Sequence, residues 1–226
     1  MKQTITLPLG ILFINALLFI GCINYEQETH LNTDGSGSVT VHYWAKENNV
    51  MWLSSNKLGF DESKIREQYK SPNITVKDVK VELDTKDSTK HVRVNLDFKD
   101  INKLSEVSGF KDNTIKWEDK GEAYVLTHTI KADTSAGGFG MNEYTLTYTY
   151  HMPADVISSS ATKTDGKTLV WKHNLSQLAN DIIMTATVKK SSGVGGNTTT
   201  IIIIAVLAIV VIGGILFLTR RKPASI

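Results

Sequence analysis

Apolar and polar residues alternate along most of the middle of the chain, which predicts β-strands. In residues 38–45, for example, Val39, Val41 and Tyr43 share one face, and more polar residues occupy the positions between them. Because side chains alternate across a strand, this period of two is typical of a strand with one buried face. The same pattern predicts strands at residues 25–33, 38–45, 73–84, 89–98, 114–119, 122–131, 143–152, 168–173 and 181–189.

Turn-forming residues separate these strands and join them into hairpins. Asp34-Gly35-Ser36-Gly37 lies between the first two strands, and Lys120-Gly121 lies between two later ones. Glycine readily adopts the positive φ that tight hairpin turns need. Pro153 ends the strand at 143–152, because proline cannot donate a hydrogen bond to a neighbouring strand.

The period changes from two to that of a helix in residues 46–70. Val50 and Leu53 follow helical spacing, Gly59 marks a stop, and Asp61 is a typical N-cap for a second helix. Further short helices are expected at 101–107 and 175–179. The predicted class is α+β: an antiparallel sheet of hairpins with a few short helices packed on it, plus a C-terminal transmembrane helix.

The N-terminus reads as a signal peptide over residues 1–21, with Lys2 followed by a short apolar run. Leu18-Phe19-Ile20-Gly21-Cys22 resembles the lipobox of bacterial lipoproteins, although Phe19 stands where that family usually has Leu. The resemblance implies cleavage before Cys22 and lipidation of its thiol. The alternative is an ordinary secretory signal with an incidental cysteine, which is the one cysteine of the chain.

The C-terminus predicts a single membrane span at residues 201–218, an apolar run long enough for about 27 Å of helix. The basic tail 219–226 is expected in the cytoplasm, because cations beside a span stay on that side. Residues 190–200 form a Gly/Ser/Thr linker. The domain at 22–189 is therefore expected outside the cytoplasmic membrane, tethered by the span and by a lipid at Cys22.

Charge argues against a nucleic-acid partner. The chain has 25 Lys and Arg residues and 23 Asp and Glu residues. Since Lys2 and the three tail cations at 220–222 lie outside the domain and every acid lies inside it, the domain has two more acids than cations. Nucleic-acid binding requires the opposite excess, concentrated on one face.

A search for reactive chemistry finds no catalytic motif, so we expect no enzyme, no metal and no cofactor. The Gly-rich residues 135–140 lack a following helix and favour a mobile loop over a phosphate site. The histidines stand singly on predicted strands, half exposed, with a cross-strand meeting of His128 and His151 as the alternative. They are His30, His42, His91, His128, His151 and His173.

Several motifs together resemble the LppM-like bacterial lipoproteins, and the order of elements fits as well. The residues that carry the resemblance are Cys22, Asp34-Gly35, Pro153, Asp165-Gly166 and Trp171. The resemblance implies a membrane-anchored domain, similar to bacterial lipid-binding folds, with no known catalysis. It assigns no ligand-binding residue.

The function expected from these features is non-enzymatic binding of a lipid or glycolipid at the outer face of the cytoplasmic membrane. Strand aromatics are candidates to line an apolar cavity, although aromatics also dominate ordinary cores. They are Trp44, Trp52, Tyr124, Tyr144, Tyr148, Tyr150 and Trp171. The alternative is a structural or assembly module that contacts other envelope proteins.

Overall fold

The computed structural model describes residues 23–56, 58–133 and 143–190. Several predictions fall outside them: the signal peptide 1–21, Cys22, the Gly-rich loop 135–140, the span 201–218 and the tail 219–226. Of the linker 190–200, only the first residue is described.

Eleven strands account for most of the described structure, and hairpins join many of them. In chain order they are β1 (Ile23–Leu31), β2 (Gly37–Lys46), β3 (Ile74–Asp84), β4 (Thr89–Phe98), β5 (Asn113–Asp119), β6 (Ala123–Ile130), β7 (Thr145–His151), β8 (Val156–Ser159), β9 (Lys163–Asp165), β10 (Thr168–Asn174) and β11 (Ile182–Lys189). The turn between β1 and β2 contains Gly35 at φ 84°. Asp34 stabilises this turn, because its carboxylate accepts hydrogen bonds from the backbone N–H and the hydroxyl of Ser36.

The strands form two sheets. The larger sheet has the order β3-β4-β2-β1-β7-β10-β9, and the smaller sheet has the order β5-β6-β11-β8. Strands β1 and β7 pair in parallel, with Tyr25 beside Leu146 and His30 beside His151. The other strand pairings of the two sheets are antiparallel.

Short helical segments pack against strands of both sheets. Helix α1 spans Glu47–Asn56 and α2 spans Glu62–Gln68, with the expected N-cap Asp61 accepting hydrogen bonds from two backbone amides of α2. Short 3₁₀ helices lie at Ile101–Glu106, Ser108–Phe110 and Leu175–Ala179.

The hydrophobic core lies between the two sheets and under the helices, where side chains from both sheets form one continuous cluster. Val41, Leu96 and Tyr150 of the larger sheet are almost fully buried in it, and so are Leu126 and Met184 of the smaller sheet. The alternation seen in the sequence therefore separates residues that face this core from residues on the outer faces.

The predicted α+β class is wrong, because strands make up 55% of the structure and helices 19%. The expected single antiparallel sheet is also wrong, since there are two sheets and β1 pairs with β7 in parallel. Strands β8 and β9 were not predicted, because they are only four and three residues long. Within the described residues, no helix is long and apolar enough to cross a membrane.

Candidate functional site

A cavity of about 250 Å³ lies between the core-facing side of the larger sheet and the helices. Strand alternation places Tyr25 on β1, Tyr43 on β2 and Tyr148 on β7 in its wall. The ring of Tyr148 lies 5.5 Å from that of Tyr25. Tyr69, directly after α2, adds a fourth tyrosine.

Aliphatic side chains complete the apolar lining of the cavity. Leu146 on β7 and Ile130 on β6 contribute from the two sheets. Leu58, which follows α1, and Leu175 and Leu178 of the last 3₁₀ helix contribute from the segments that cover the sheet. Since sheets and helical segments all supply side chains, the cavity exists only in the assembled fold.

The hydroxyl groups on the cavity wall remain neutral at ordinary pH. Tyr25 donates a hydrogen bond to Oε1 of Gln27 at 3.1 Å, and Tyr43 donates to the backbone carbonyl of Gly59. Burial away from water raises the pKa of both phenols, and of Tyr148, well above the ordinary value. The wall therefore offers apolar rings and a few uncharged polar atoms, which is typical of a ligand pocket.

Charged side chains of both signs contribute to the lining of the same cavity. They are Lys111, Asp112, Lys131 and Asp133. The side chain of Lys131 is 59% exposed, and its Nζ lies 3.1 Å from Oδ2 of Asp181. Because these groups stay in contact with water, the cavity combines an apolar interior with a polar edge.

The predicted aromatic residues have different fates. Tyr148 lines the cavity, whereas Tyr150 and Trp171 are fully buried core residues. Trp44 lies on the opposite, outer face of the larger sheet, and Tyr124 stacks on Trp117 of the neighbouring strand. Tyr144 is partly buried against the core, and Trp52 lies in α1.

The tyrosines at 25, 43 and 69 were not predicted to line a cavity. Tyr25 and Tyr43 are cross-strand partners in the first hairpin, so alternation alone places them on one face. That signal was available in the sequence. The position of Tyr69 could not be predicted from alternation, because it depends on how α2 packs against the sheet.

His128 is buried in the core rather than half exposed on a strand. Its Nε2 lies 2.7 Å from Oδ1 of Asn113, and its Nδ1 lies 2.8 Å from the hydroxyl of Tyr150. Burial lowers the pKa of His128 to about 3, so the ring is neutral. The predicted alternative, a meeting of His128 with His151, does not occur, because successive strand residues Tyr150 and His151 face opposite sides.

The outer face of the larger sheet groups four other histidines into two pairs, which corrects the expectation that they stand singly. The rings of His30 and His151 stack with their centres 4.1 Å apart. On the next two strands of the sheet, β2 and β4, Nε2 of His42 lies 3.1 Å from Nδ1 of His91. The sequence did not reveal these pairs, because each joins residues from strands that are distant along the chain.

Comparisons with known proteins find similarity among solved structures. No protein-family model matches this sequence, and no curated protein matches it. The NMR structure of the folded domain of the LppM protein from Mycobacterium tuberculosis is similar to this one, with a TM-score of 0.47 and 15% sequence identity. The match covers 76% of this chain and 92% of that chain.

At this identity and TM-score, no residue's role passes from one chain to the other. The LppM-like resemblance of the sequence, the lipobox and the family membership therefore stay predictions.

Proposed function

We propose that this chain is a membrane-anchored bacterial envelope lipoprotein whose domain binds the apolar part of a lipid or glycolipid. The single observation that carries the lipid-binding part is the cavity of about 250 Å³. The anchoring part rests on the sequence alone, on Cys22 and on the apolar run at 201–218.

The size of the cavity limits what it would hold. Pockets for complete small ligands usually measure about 300–1,000 Å³. A cavity slightly below this range suits part of one acyl chain rather than a whole lipid. The remainder of the lipid would stay at the edge of the cavity or in the bilayer.

The chemistry of the lining supports an amphipathic ligand. Burial of an acyl chain contributes about 0.8 kcal/mol of favourable transfer free energy for each CH₂ group that leaves water. The charged edge, with Lys111 and Asp112, provides hydrogen-bond donors and acceptors for a polar head group. A lipid fits both requirements, because it carries an apolar and a polar part in one molecule.

The test compares two substitutions of the same kind, Leu178→Trp and Leu83→Trp. Leu178 lines the cavity, so the larger indole fills space that a lipid would occupy. Leu83 is 47% exposed on β3 and does not line the cavity, so it is the matched control. Both full-length variants and the unmodified chain are purified from bacterial membranes in mild detergent, and circular dichroism checks that they fold.

Native mass spectrometry then measures the bound lipid, both as purified and after titration with phosphatidylglycerol. We expect a non-covalent lipid at fixed stoichiometry on the unmodified chain and on Leu83→Trp. On Leu178→Trp we expect at least about a tenfold loss of binding, since the ligand loses most of its apolar contact. Equal lipid occupancy in both variants would contradict binding in this cavity.

Denaturing mass spectrometry of the same samples tests the anchor separately. The proposal requires a mature chain that begins at an acylated Cys22. A chain that begins elsewhere would remove the lipoprotein part without affecting the cavity. A protein that co-purifies at fixed stoichiometry, with no bound lipid, would favour the alternative role as an assembly module.

A further inference from the structure

Glu28, His30 and His151 bring three metal-ligand side chains together on the outer face of the larger sheet. Glu28 and His30 are two residues apart on β1, so strand alternation places both on this face. His151 on β7 is the parallel cross-strand partner of His30. The three side chains are 53%, 59% and 32% exposed, so an ion in solution has direct access to them.

The distances among their ligand atoms match a small coordination sphere. Oε1 of Glu28 lies 2.8 Å from Nε2 of His151 and 3.6 Å from Nε2 of His30. Ligand atoms of all three residues lie within 4.8 Å of one another. In a tetrahedral zinc site with bonds of about 2.0–2.1 Å, neighbouring ligand atoms are about 3.3–3.4 Å apart.

A second contact prepares His151 for this role. Its Nδ1 lies 3.2 Å from the hydroxyl oxygen of Thr168 on β10. Nε2 of His151 lies at hydrogen-bond distance, 2.8 Å, from Oε1 of Glu28, so in this structure Nε2–H donates to the carboxylate. In the other tautomer Nδ1–H donates to the Thr168 oxygen instead, and the lone pair of Nε2 becomes available to an ion that lies between it and the carboxylate. Metal-bound histidines usually donate their other ring N–H to a neighbouring acceptor in this way, which holds the ring and its tautomer.

We propose that Glu28, His30 and His151 bind one Zn²⁺ ion, with water completing the coordination. Two neutral imidazoles and one carboxylate suit zinc, whereas Mg²⁺ and Ca²⁺ prefer oxygen ligands alone. The two rings are nearly parallel, at 11°, so their lone pairs do not yet converge. Rotation of the more exposed ring, His30, out of the stack directs both Nε2 atoms toward one ion.

The second histidine pair on this face is a less suitable site and provides matched controls. His42 has Nδ1 3.2 Å from Oε2 of Glu26 and Nε2 3.1 Å from His91. His91 in turn has Nε2 2.9 Å from the hydroxyl of Thr89. These rings are linked to one another in a chain of hydrogen bonds, and among the described residues only Glu28, His30 and His151 form a convergent group.

The experiment is isothermal titration calorimetry of the tag-free full-length protein in detergent with ZnCl₂. We compare the unmodified chain with Glu28→Gln, His30→Gln and His151→Gln. Two substitutions of the same kind at the other pair, Glu26→Gln and His42→Gln, are the controls. We expect one Zn²⁺ per chain, with affinity lowered by more than about tenfold in the three ligand variants and unchanged in the two controls.

Two further measurements separate zinc ligation from a structural role. Thr168→Val keeps the three ligands and removes the acceptor for Nδ1 of His151, so we expect about a tenfold loss of affinity. Imidazole ¹⁵N NMR should show Zn²⁺-dependent shifts of Nε2 in His30 and His151, but not in His42. Addition of Mg²⁺ in excess should leave these signals in place.

Several results would overturn the proposal. The first is that the folded protein binds no zinc. The second is that zinc affinity falls equally in the control variants and in the ligand variants, and the third is that it falls only in His42→Gln. A saturable site that persists in Glu28→Gln, His30→Gln and His151→Gln alike would place the zinc elsewhere. Circular dichroism of every variant excludes unfolding as the cause of a loss.

Discussion

The interior between the sheets and the outer face of the larger sheet place histidines in opposite environments. His128 is completely buried, with a partner for each ring nitrogen, whereas the side chain of His30 is 59% exposed. Strand β7 serves both regions, because Tyr150 faces inward to His128 and the next residue, His151, faces outward to His30. Burial rather than residue type therefore decides whether a histidine here is a neutral structural group or an accessible ligand.

Acid should produce the largest difference between the two regions. Burial lowers the pKa of His128 to about 3, against an ordinary value of 6.5. The unfolded chain therefore binds a proton that the folded chain excludes. Above about pH 6.5, His128 is neutral in both states and does not lower the stability of the fold. As the pH falls from about 6.5 toward about 3, proton binding to the unfolded chain lowers the unfolding free energy by up to about 4–5 kcal/mol.

Urea unfolding of the unmodified chain, His128→Leu and His30→Leu between about pH 7 and about pH 4 measures this loss. Carboxylates titrate in all three chains, so the informative quantity is the difference between them. We expect His128→Leu to lose stability less steeply with acid than the unmodified chain, and His30→Leu to follow the unmodified chain. Parallel curves for all three would show that His128 is not held neutral by burial.

At neutral pH, His128→Ala should cost about 3 kcal/mol of unfolding free energy. The substitution leaves a cavity in the core and removes the partners of Asn113 and of the Tyr150 hydroxyl. His30→Ala on the outer face should change stability by less than about 0.5 kcal/mol, because exposed positions tolerate substitution. Chemical unfolding of the two variants measures both values, and similar costs would remove the distinction between the regions.

Tyr150→Phe should cost about 1–2 kcal/mol of unfolding free energy, since it keeps the ring but removes a buried hydroxyl that bonds to Nδ1 of His128 and also contacts Gln27 and Thr29. Tyr124→Phe is the control, because the Tyr124 ring is half-buried and its stack on Trp117, at 5.0 Å, survives the change. We expect a smaller cost for the control in the same unfolding assay. An equal or larger cost in Tyr124→Phe would contradict the assigned role of the Tyr150 hydroxyl.

The smallest effect is expected for an ion pair at the surface. Lys77 Nζ lies 3.1 Å from Oδ2 of Asp97, with side chains 58% and 49% exposed. Because water and salt screen such a pair, Asp97→Asn should cost no more than about 0.5 kcal/mol, and less at high salt. Unfolding at low and high salt measures this, and a cost above about 1 kcal/mol would mean that this edge of the sheet is more protected than its exposure indicates.

Local elements were largely predictable, and their long-range arrangement was not. The hairpin of β1 and β2 and the N-cap Asp61 follow from alternation and turn residues within a few positions of one another. The spacing of Glu28 and His30 similarly places two candidate ligands on one face. The third ligand could not be found in this way, because His151 lies 121 residues further along the chain than His30 and pairs with it only in the fold.

By itself, the sequence determined where most strands begin and end and which of their faces is buried. It also determined that consecutive strands pair as hairpins, as β1 does with β2 and β3 with β4. These properties depend on side-chain period and on turns, which act over short stretches of chain. Only the tertiary structure decided the division into two sheets, the parallel pairing of β1 with β7, the cavity and the grouping of the histidines. Each of these brings together residues from distant strands, so each depends on how whole faces pack against one another.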